Sequence, residues 1–296
     1  LVECADLTPG VVHRAAEVVR TVAAVTPGLD ASRSLELVVS QTLRAQGHAG
    51  VRATLGVPQV YDPRFIASDV DPVRLVEGLR ASRSGRLVLY GPPGTGKTAF
   101  ARHLASELGL TLDVRRASDL MDKFVGETEK RIAAAFREAE ESGAALLIDE
   151  VDSFLQDRSR AQRSWEVTQV NEFLTRMEEF AGLFIASTNL IDGFDAAALR
   201  RFDLKAKFDY LRAPQAAELL QAHLRVAGVP AAETDDLTRL RRLDNLTPGD
   251  FAAVARQNRF RPLATASEWV AAMESECRIK PGARSRPAIG FGGAAA

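Results

Sequence analysis

The sequence predicts an α/β layer fold with a parallel sheet, preceded by a helical segment and followed by a small all-helical subdomain. Three observations predict it. Short unbroken apolar runs at residues 87–90, 144–148 and 183–186 are too short for helices and end in polar or glycine residues, as strands buried on both faces do. Helical stripes separate them, with Ile132, Ala135, Phe136 and Ala139 on one and Val167, Val170, Phe173, Leu174 and Met177 on another. Beyond Pro214 the strand signals stop and only short helical patterns remain. Alternation of strand and helix builds a layered sheet, and a run of helices builds a separate small core.

Taken in order, residues 1–46 read as helical, and residues 47–84, rich in Gly, Pro, Asp and Ser, read as a connecting segment that also supplies the N-terminal part of the nucleotide pocket. Residues 85–212 carry the strand and helix alternation, including a second strand at about 110–114 and a helix beginning near Glu127. Residues 213–280 read as helices at 216–227, near 235–243, at 248–260 and at 266–277, and residues 281–296 as a tail. Leu7-Thr8-Pro9-Gly10 echoes Leu246-Thr247-Pro248-Gly249, each followed by a second helix beginning near a serine, Ser34 or Ser267. Two readings fit the echo: a shared helix start, with Thr as N-cap and Pro at the first helical position, or residues 1–46 as the helical end of a preceding, divergent copy of the same module.

At 296 residues, 46% hydrophobic and 26% charged, the chain buries a substantial core, which excludes disorder as its main state. Lys and Arg number 38 against 39 Asp and Glu, so no global field recruits nucleic acid or an acidic membrane, and any nucleic-acid contact is local. Cys4 and Cys277 form neither a disulfide framework nor a zinc spacing, and His13, His48, His103 and His223 show no ligand spacing, which points to a reducing, cytoplasmic setting. No apolar run approaches the about 18 to 20 residues of a membrane-spanning helix. A start at Leu1 rather than Met suggests a piece of a longer protein, and 32 Arg against 6 Lys with abundant Ala suggests a GC-rich bacterial source.

Directly after the first strand stands Gly91-Pro92-Pro93-Gly94-Thr95-Gly96-Lys97-Thr98, followed from Ala99 by a helical pattern. This is a full Walker A pattern in its strand, loop and helix context. Glycines let the backbone wrap around phosphate oxygens, so that amide N–H groups and a helix N-terminus face the anion. Lys97 is expected to hold the β- and γ-phosphates of ATP and Thr98 to ligate Mg²⁺. The next apolar run delivers Asp149 and Glu150 at its C-terminal end, where α/β sheets place ligands. Alone such a pair is often a solvated turn. Roughly 50 residues after the loop it fits a Walker B pair, Asp149 for the Mg²⁺ shell and Glu150 as general base. The third run ends at Ser187-Thr188-Asn189, whose amide is positioned by chain order to orient the attacking water, although an ordinary strand-ending Asn gives the same pattern.

These residues, in this order, resemble the AAA branch of the AAA+ ATPases over about residues 60–280, with a P-loop NTPase sandwich and a helical lid. The motifs are the loop at 91–98, Leu147-Ile148-Asp149-Glu150-Val151-Asp152, Ser187-Thr188-Asn189 and Leu199-Arg200-Arg201-Phe202-Asp203. The resemblance implies that Asn189 is the sensor-1 residue and that Arg200 and Arg201 are arginine fingers reaching the ATP of a neighbouring subunit. Many relatives have Pro-Gly between the two arginines and this chain does not, which leaves open the dominant finger. A surface Arg pair closing a helix is the plainer reading. In the lid, Glu218 to His223 resembles the helix whose histidine lies by the ribose and adenine, so His223 and Gly249 join the nucleotide-binding set.

Residues 121–129 resemble pore loop 1, with Lys123, Phe124, Val125 and Gly126 facing the channel of a ring. Phe124 offers a flat apolar grip on an extended polypeptide, and Gly126 the freedom to tilt. A buried Phe-Val pair is the alternative. Residues 155–163, with three arginines, stand where the family has a second pore loop. The function implied is an ATP-hydrolysing, Mg²⁺-dependent motor, a homo-oligomer expected as a hexameric ring, acting on protein substrates. The rivals are a nucleotide-gated switch or adaptor that binds partners without threading, and a nucleic-acid ATPase, against which the neutral charge and the lack of a DNA-binding module argue.

Overall fold

The computed structural model describes residues 15–20, 34, 38, 39, 42, 62–124, 126–155, 164–189 and 194–280. The chain divides into residues 1–59 and 60–296. In the first unit residues 15–20 are helical, with Ala15 and Val19 buried, and Thr42 Oγ1 donates to Val38 O at 2.8 Å. The Thr8-Pro9 start, the tail at 281–296 and most of the arginine-rich segment at 155–163 lie outside the described residues.

In the second unit the described strands are β1 (Ala67–Ser68), β2 (Gly85–Tyr90), β3 (Leu112–Arg116), β4 (Ala145–Asp149), β5 (Leu183–Thr188) and β6 (Leu204–Asp209). Their order in the sheet is β1-β6-β2-β5-β4-β3, with β1 antiparallel to β6 and the other pairings parallel. Between them run the helices α1 (Pro72–Leu79), α2 (Lys97–Glu107), α3 (Ala117–Leu120), α4 (Glu127–Ser142), α5 (Asp152–Leu155), α6 (Ser164–Glu179) and α7 (Ala196–Leu199). After β6 come α8 (Ala213–Ala227), α9 (Thr234–Leu240), α10 (Pro248–Gln257) and α11 (Ala266–Arg278).

Alternate residues of the central strands face opposite layers. Leu146 and Ile148 of β4, with Phe184 and Ala186 of β5, pack against α4 and α6. Ala145 and Leu147, with Leu183 and Ile185, pack on the other face against Phe100 and Leu104 of α2. That is why the runs read as unbroken apolar stretches. Phe136 of α4 anchors the first layer, edge-on to Phe173 and Phe180 at centroid distances of 6.1 and 5.6 Å. The lid has its own core, in which Phe251, Trp269 and Leu220 are fully buried.

Three expectations are corrected. The second strand spans Leu112–Arg116 rather than about 110–114, because Gly109 at φ 65 turns the chain after α2 and Leu110 still bonds back to Ala105. Residues 47–84 are not only connection, since α1 lies within them, started by Pro72 and by Asp71, whose carboxylate accepts from Val73 N at 2.9 Å. Strand β6 escaped the sequence reading altogether. It alternates, with Ala206 and Phe208 buried and Lys205 and Lys207 exposed, so it has no apolar run.

Candidate active site

Parallel order brings the C-terminal ends of β2, β4 and β5 to one edge, and the loop 91–96 leaves β2 there for α2. Two glycines in it are required by contact. At Gly91, φ 140, a Cβ would stand 2.0 Å from Phe208 O of β6; at Gly94, φ 80, it would stand 2.9 Å from Thr247 Oγ1. Thr95 Oγ1 donates to Pro92 O at 2.8 Å, tightening the loop. The amides of the first α2 turn, which includes Thr98 and Ala99, have no intrahelical acceptor, as at any helix start.

Lys97 is 7% exposed, and its Nζ donates to Gly91 O at 2.8 Å, Pro92 O at 3.0 Å and Asn189 Oδ1 at 2.9 Å. Burial pushes its pKa down to about 8, against the opposing pull of Asp149 and Asp152. Thr98 Oγ1 donates to Asp149 Oδ2 at 2.9 Å. The other carboxylate oxygen of Asp149 accepts from Ser187 Oγ and from Glu150 N. Thr188 Oγ1 donates to Asp152 on the next turn of chain. Glu150 is exposed and takes a φ of 59, a left-handed conformation that a glutamate holds only at a cost.

The lid meets this edge through backbone. Gly249 N donates to Gly94 O at 2.9 Å, and a Cβ on Gly249 would stand 2.9 Å from Gly94 Cα. His223 of α8 stacks on Phe251 at 5.8 Å and lies 6.2 Å from Trp269, so it braces α10, the helix that carries Gly249. Burial pushes the His223 pKa below the ordinary histidine value.

The structure thus joins Lys97, Thr98, Asp149 and Asn189 directly, with Glu150 adjoining Asp149 and Gly249 on the loop. It does not bring the arginines to them. Arg200 is exposed, whereas Arg201 Nε donates to Glu178 Oε1 of α6 at 2.5 Å and its Nη1 is buried without an acceptor. Phe124 is 62% exposed, with Lys123 Nζ 5.0 Å from its ring centroid, while Gly126 starts α4 at φ 88. Val125 lies outside the described residues. Asp122 ties the loop down: its Oδ1 accepts from Phe124 N at 3.0 Å, its other oxygen from Arg131, and its own N–H donates to buried Thr128 Oγ1 at 2.9 Å.

Sequence reasoning missed Ser187, Asp152 and Glu178. Ser187 and Asp152 lie inside the motifs at 187–189 and 147–152, but each bonds to a partner distant in sequence, Asp149 and Thr188 respectively. Glu178 carried no signal.

The set fits Mg-ATP. A glycine-lined loop, unpaired amides at a helix start and a buried lysine suit polyphosphate, and a hydroxyl beside a carboxylate suits Mg²⁺. Among the described residues no group of three or more His, Cys, Asp or Glu forms a metal cluster, and no helix is long and apolar enough to cross a membrane.

Residues 87–210 match the family described as ATPase family associated with various cellular activities (AAA). Protein SAV of Sulfolobus acidocaldarius is 35% identical over 179 residues, covering 58% of this chain and 23% of that protein. Spastin of Drosophila virilis and of Drosophila melanogaster are each 35% identical over 214 residues, covering 69% of this chain and 27% and 28% of those proteins. A crystal structure of the FIGL-1 AAA domain in complex with ADP is similar at a TM-score of 0.52 and 26% identity, over 64% of this chain and 70% of that one. The chain spans about a quarter of the length of these curated relatives.

Proposed function

Residues 87–210 are an AAA-family ATPase domain, and on that premise we propose that the chain hydrolyses Mg-ATP and uses the cycle to remodel, unfold or translocate protein substrates as a ring. The observation that carries the proposal is the meeting of Lys97, Thr98, Asp149 and Asn189 at one sheet edge, with Glu150 exposed beside them.

Lys97 is the phosphate ligand. Three oxygens already converge on its Nζ, and anionic phosphates beside it favour the charged form that burial disfavours. Thr98 and Asp149 would hold Mg²⁺, which neutralises phosphate charge when bound. Glu150, bonded to Asp149 through its backbone N–H and not through its side chain, takes the proton of the water that attacks the γ-phosphate, and Asn189 orients that water. The products are ADP, phosphate and a proton.

Assembly and use of the cycle rest on two further features. The Arg201 side chain is 33% exposed and Arg200 is exposed beside it, so both can offer guanidinium donors to phosphate bound by a second copy. Phe124, exposed on a loop anchored by Asp122, suits an apolar grip on an extended polypeptide.

Specific ATPase activity measured against protein concentration tests the proposal. Turnover per chain is expected to rise with concentration, to fall about 10²- to 10⁴-fold in Glu150→Gln with ATP binding retained, and to fall about 10³-fold in Arg201→Ala. Activity unaffected by Glu150→Gln would overturn the hydrolytic assignment. Phe124→Ala is expected to retain ATPase activity and lose substrate processing; unchanged processing would favour a switch that binds partners without threading them.

A further inference from the structure

Lys280, just beyond α11, lies on no motif and far along the chain from the phosphate loop. Its side chain is 20% exposed and its Nζ reaches three groups at the base of the lid. It donates to Asp250 Oδ2 at 2.6 Å and to Asn245 O at 2.5 Å, and stands 5.7 Å from the Tyr210 ring centroid. Tyr210 follows β6, and its neighbour Leu211 donates to Leu246 O at 2.8 Å, so this is where the chain passes from sheet to lid.

Asp250 is 6% exposed, and the same Oδ2 also accepts from Thr247 N at 2.7 Å and Thr247 Oγ1 at 2.8 Å. These bonds shape the first turn of α10. That turn is the part of the lid lying on the phosphate loop, through Gly249 N to Gly94 O and through Thr247 Oγ1 above Gly94. A buried carboxylate keeps its charge only where a counter-charge and donors meet it. Lys280 supplies that counter-charge.

We propose that Lys280 is a positioning residue for nucleotide binding: by neutralising Asp250 it fixes the first turn of α10 against Gly94, so that the end of α11 sets the fit of the lid on the phosphate loop. The proposal rests on the ATP-binding reading above. Lys280 touches none of Asp149, Glu150 or Asn189, so its effect falls on affinity rather than on the chemical step.

ATP and ADP affinity, and KM and kcat for ATP, measured on the full chain test it. Lys280→Met is expected to weaken nucleotide binding and raise KM about tenfold, the scale of one charge-assisted hydrogen bond, with kcat little changed. Lys280→Arg keeps the charge and is expected to retain most of the affinity. In the double variant Lys280→Met with Asp250→Asn, the carboxylate no longer needs neutralising and affinity is expected to recover. Failure of Lys280→Met to fold leaves the arginine and double variants to decide. Affinity unchanged in Lys280→Met, a loss of kcat without a rise in KM, or a double variant weaker than the single one would each overturn the role of Lys280. Absence of ATP binding by the unaltered chain would overturn the ATPase reading and this proposal together.

Discussion

His223 packs the lid core and so braces the helix that carries Gly249. Its ring is stacked against Phe251 and Trp269, and burial favours the neutral imidazole, holding its pKa below the usual value. Between that depressed value and about pH 6.5 the unfolded chain binds a proton that the folded chain does not. Stability contributed by His223 is therefore full above about pH 6.5 and falls as pH drops through it. Denaturant unfolding on either side of that pH is expected to show a larger loss of stability in the unaltered chain than in His223→Phe, which keeps the stacked ring and removes the titration. Equal losses would assign the acid sensitivity elsewhere. Glu150 is the opposite kind of residue, exposed and conformationally costly at φ 59. Its neighbours hold it where its own preferences do not.

At the scale of elements, β2, β4 and β5 were legible because both of their faces are buried, so burial wrote itself into consecutive residues. The phosphate loop and the Asp149-Glu150 pair were legible for the same reason, since they follow those strands directly. Strand β6 was not, although it closes on the loop through Phe208 O beside Gly91. A strand near the sheet edge needs apolar residues on one face only, and Lys205 and Lys207 interrupt any run. Likewise α1 hides in a polar segment because only Val76 of its residues is buried. The bonds of Ser187 to Asp149, Glu178 to Arg201 and Lys280 to Asp250 join residues brought together only by folding, which no local pattern announces. The two faces of β6 make a direct comparison. Phe208→Ala, which removes a fully buried ring packed edge-on to Phe100, is expected to cost about 3 to 5 kcal/mol in denaturant unfolding. Lys207→Ala, on the exposed face, is expected to fall within about 0.5 kcal/mol of the unaltered chain.

In the second unit the two faces of the sheet and the lid keep three separate cores, with Phe184 in the first, Ile185 in the second and Phe251 and Trp269 in the third. What joins lid and phosphate loop is backbone contact, where two glycines let the main chains approach more closely than any side chain allows. A methyl group at that contact acts as a wedge. Gly249→Ala is expected to leave the lid core folded and to weaken nucleotide affinity about tenfold or more, since the Gly249 bond to Gly94 O is lost. Affinity unchanged in a folded Gly249→Ala chain would show that the two parts meet loosely.

That same bond is also a clock. The Gly249 amide proton is held by a carbonyl of the loop rather than by its own helix, so deuterium replaces it only when lid and loop part. Its exchange rate, read against that of amides inside α10, therefore reports how often the lid lifts from the loop without any label being attached.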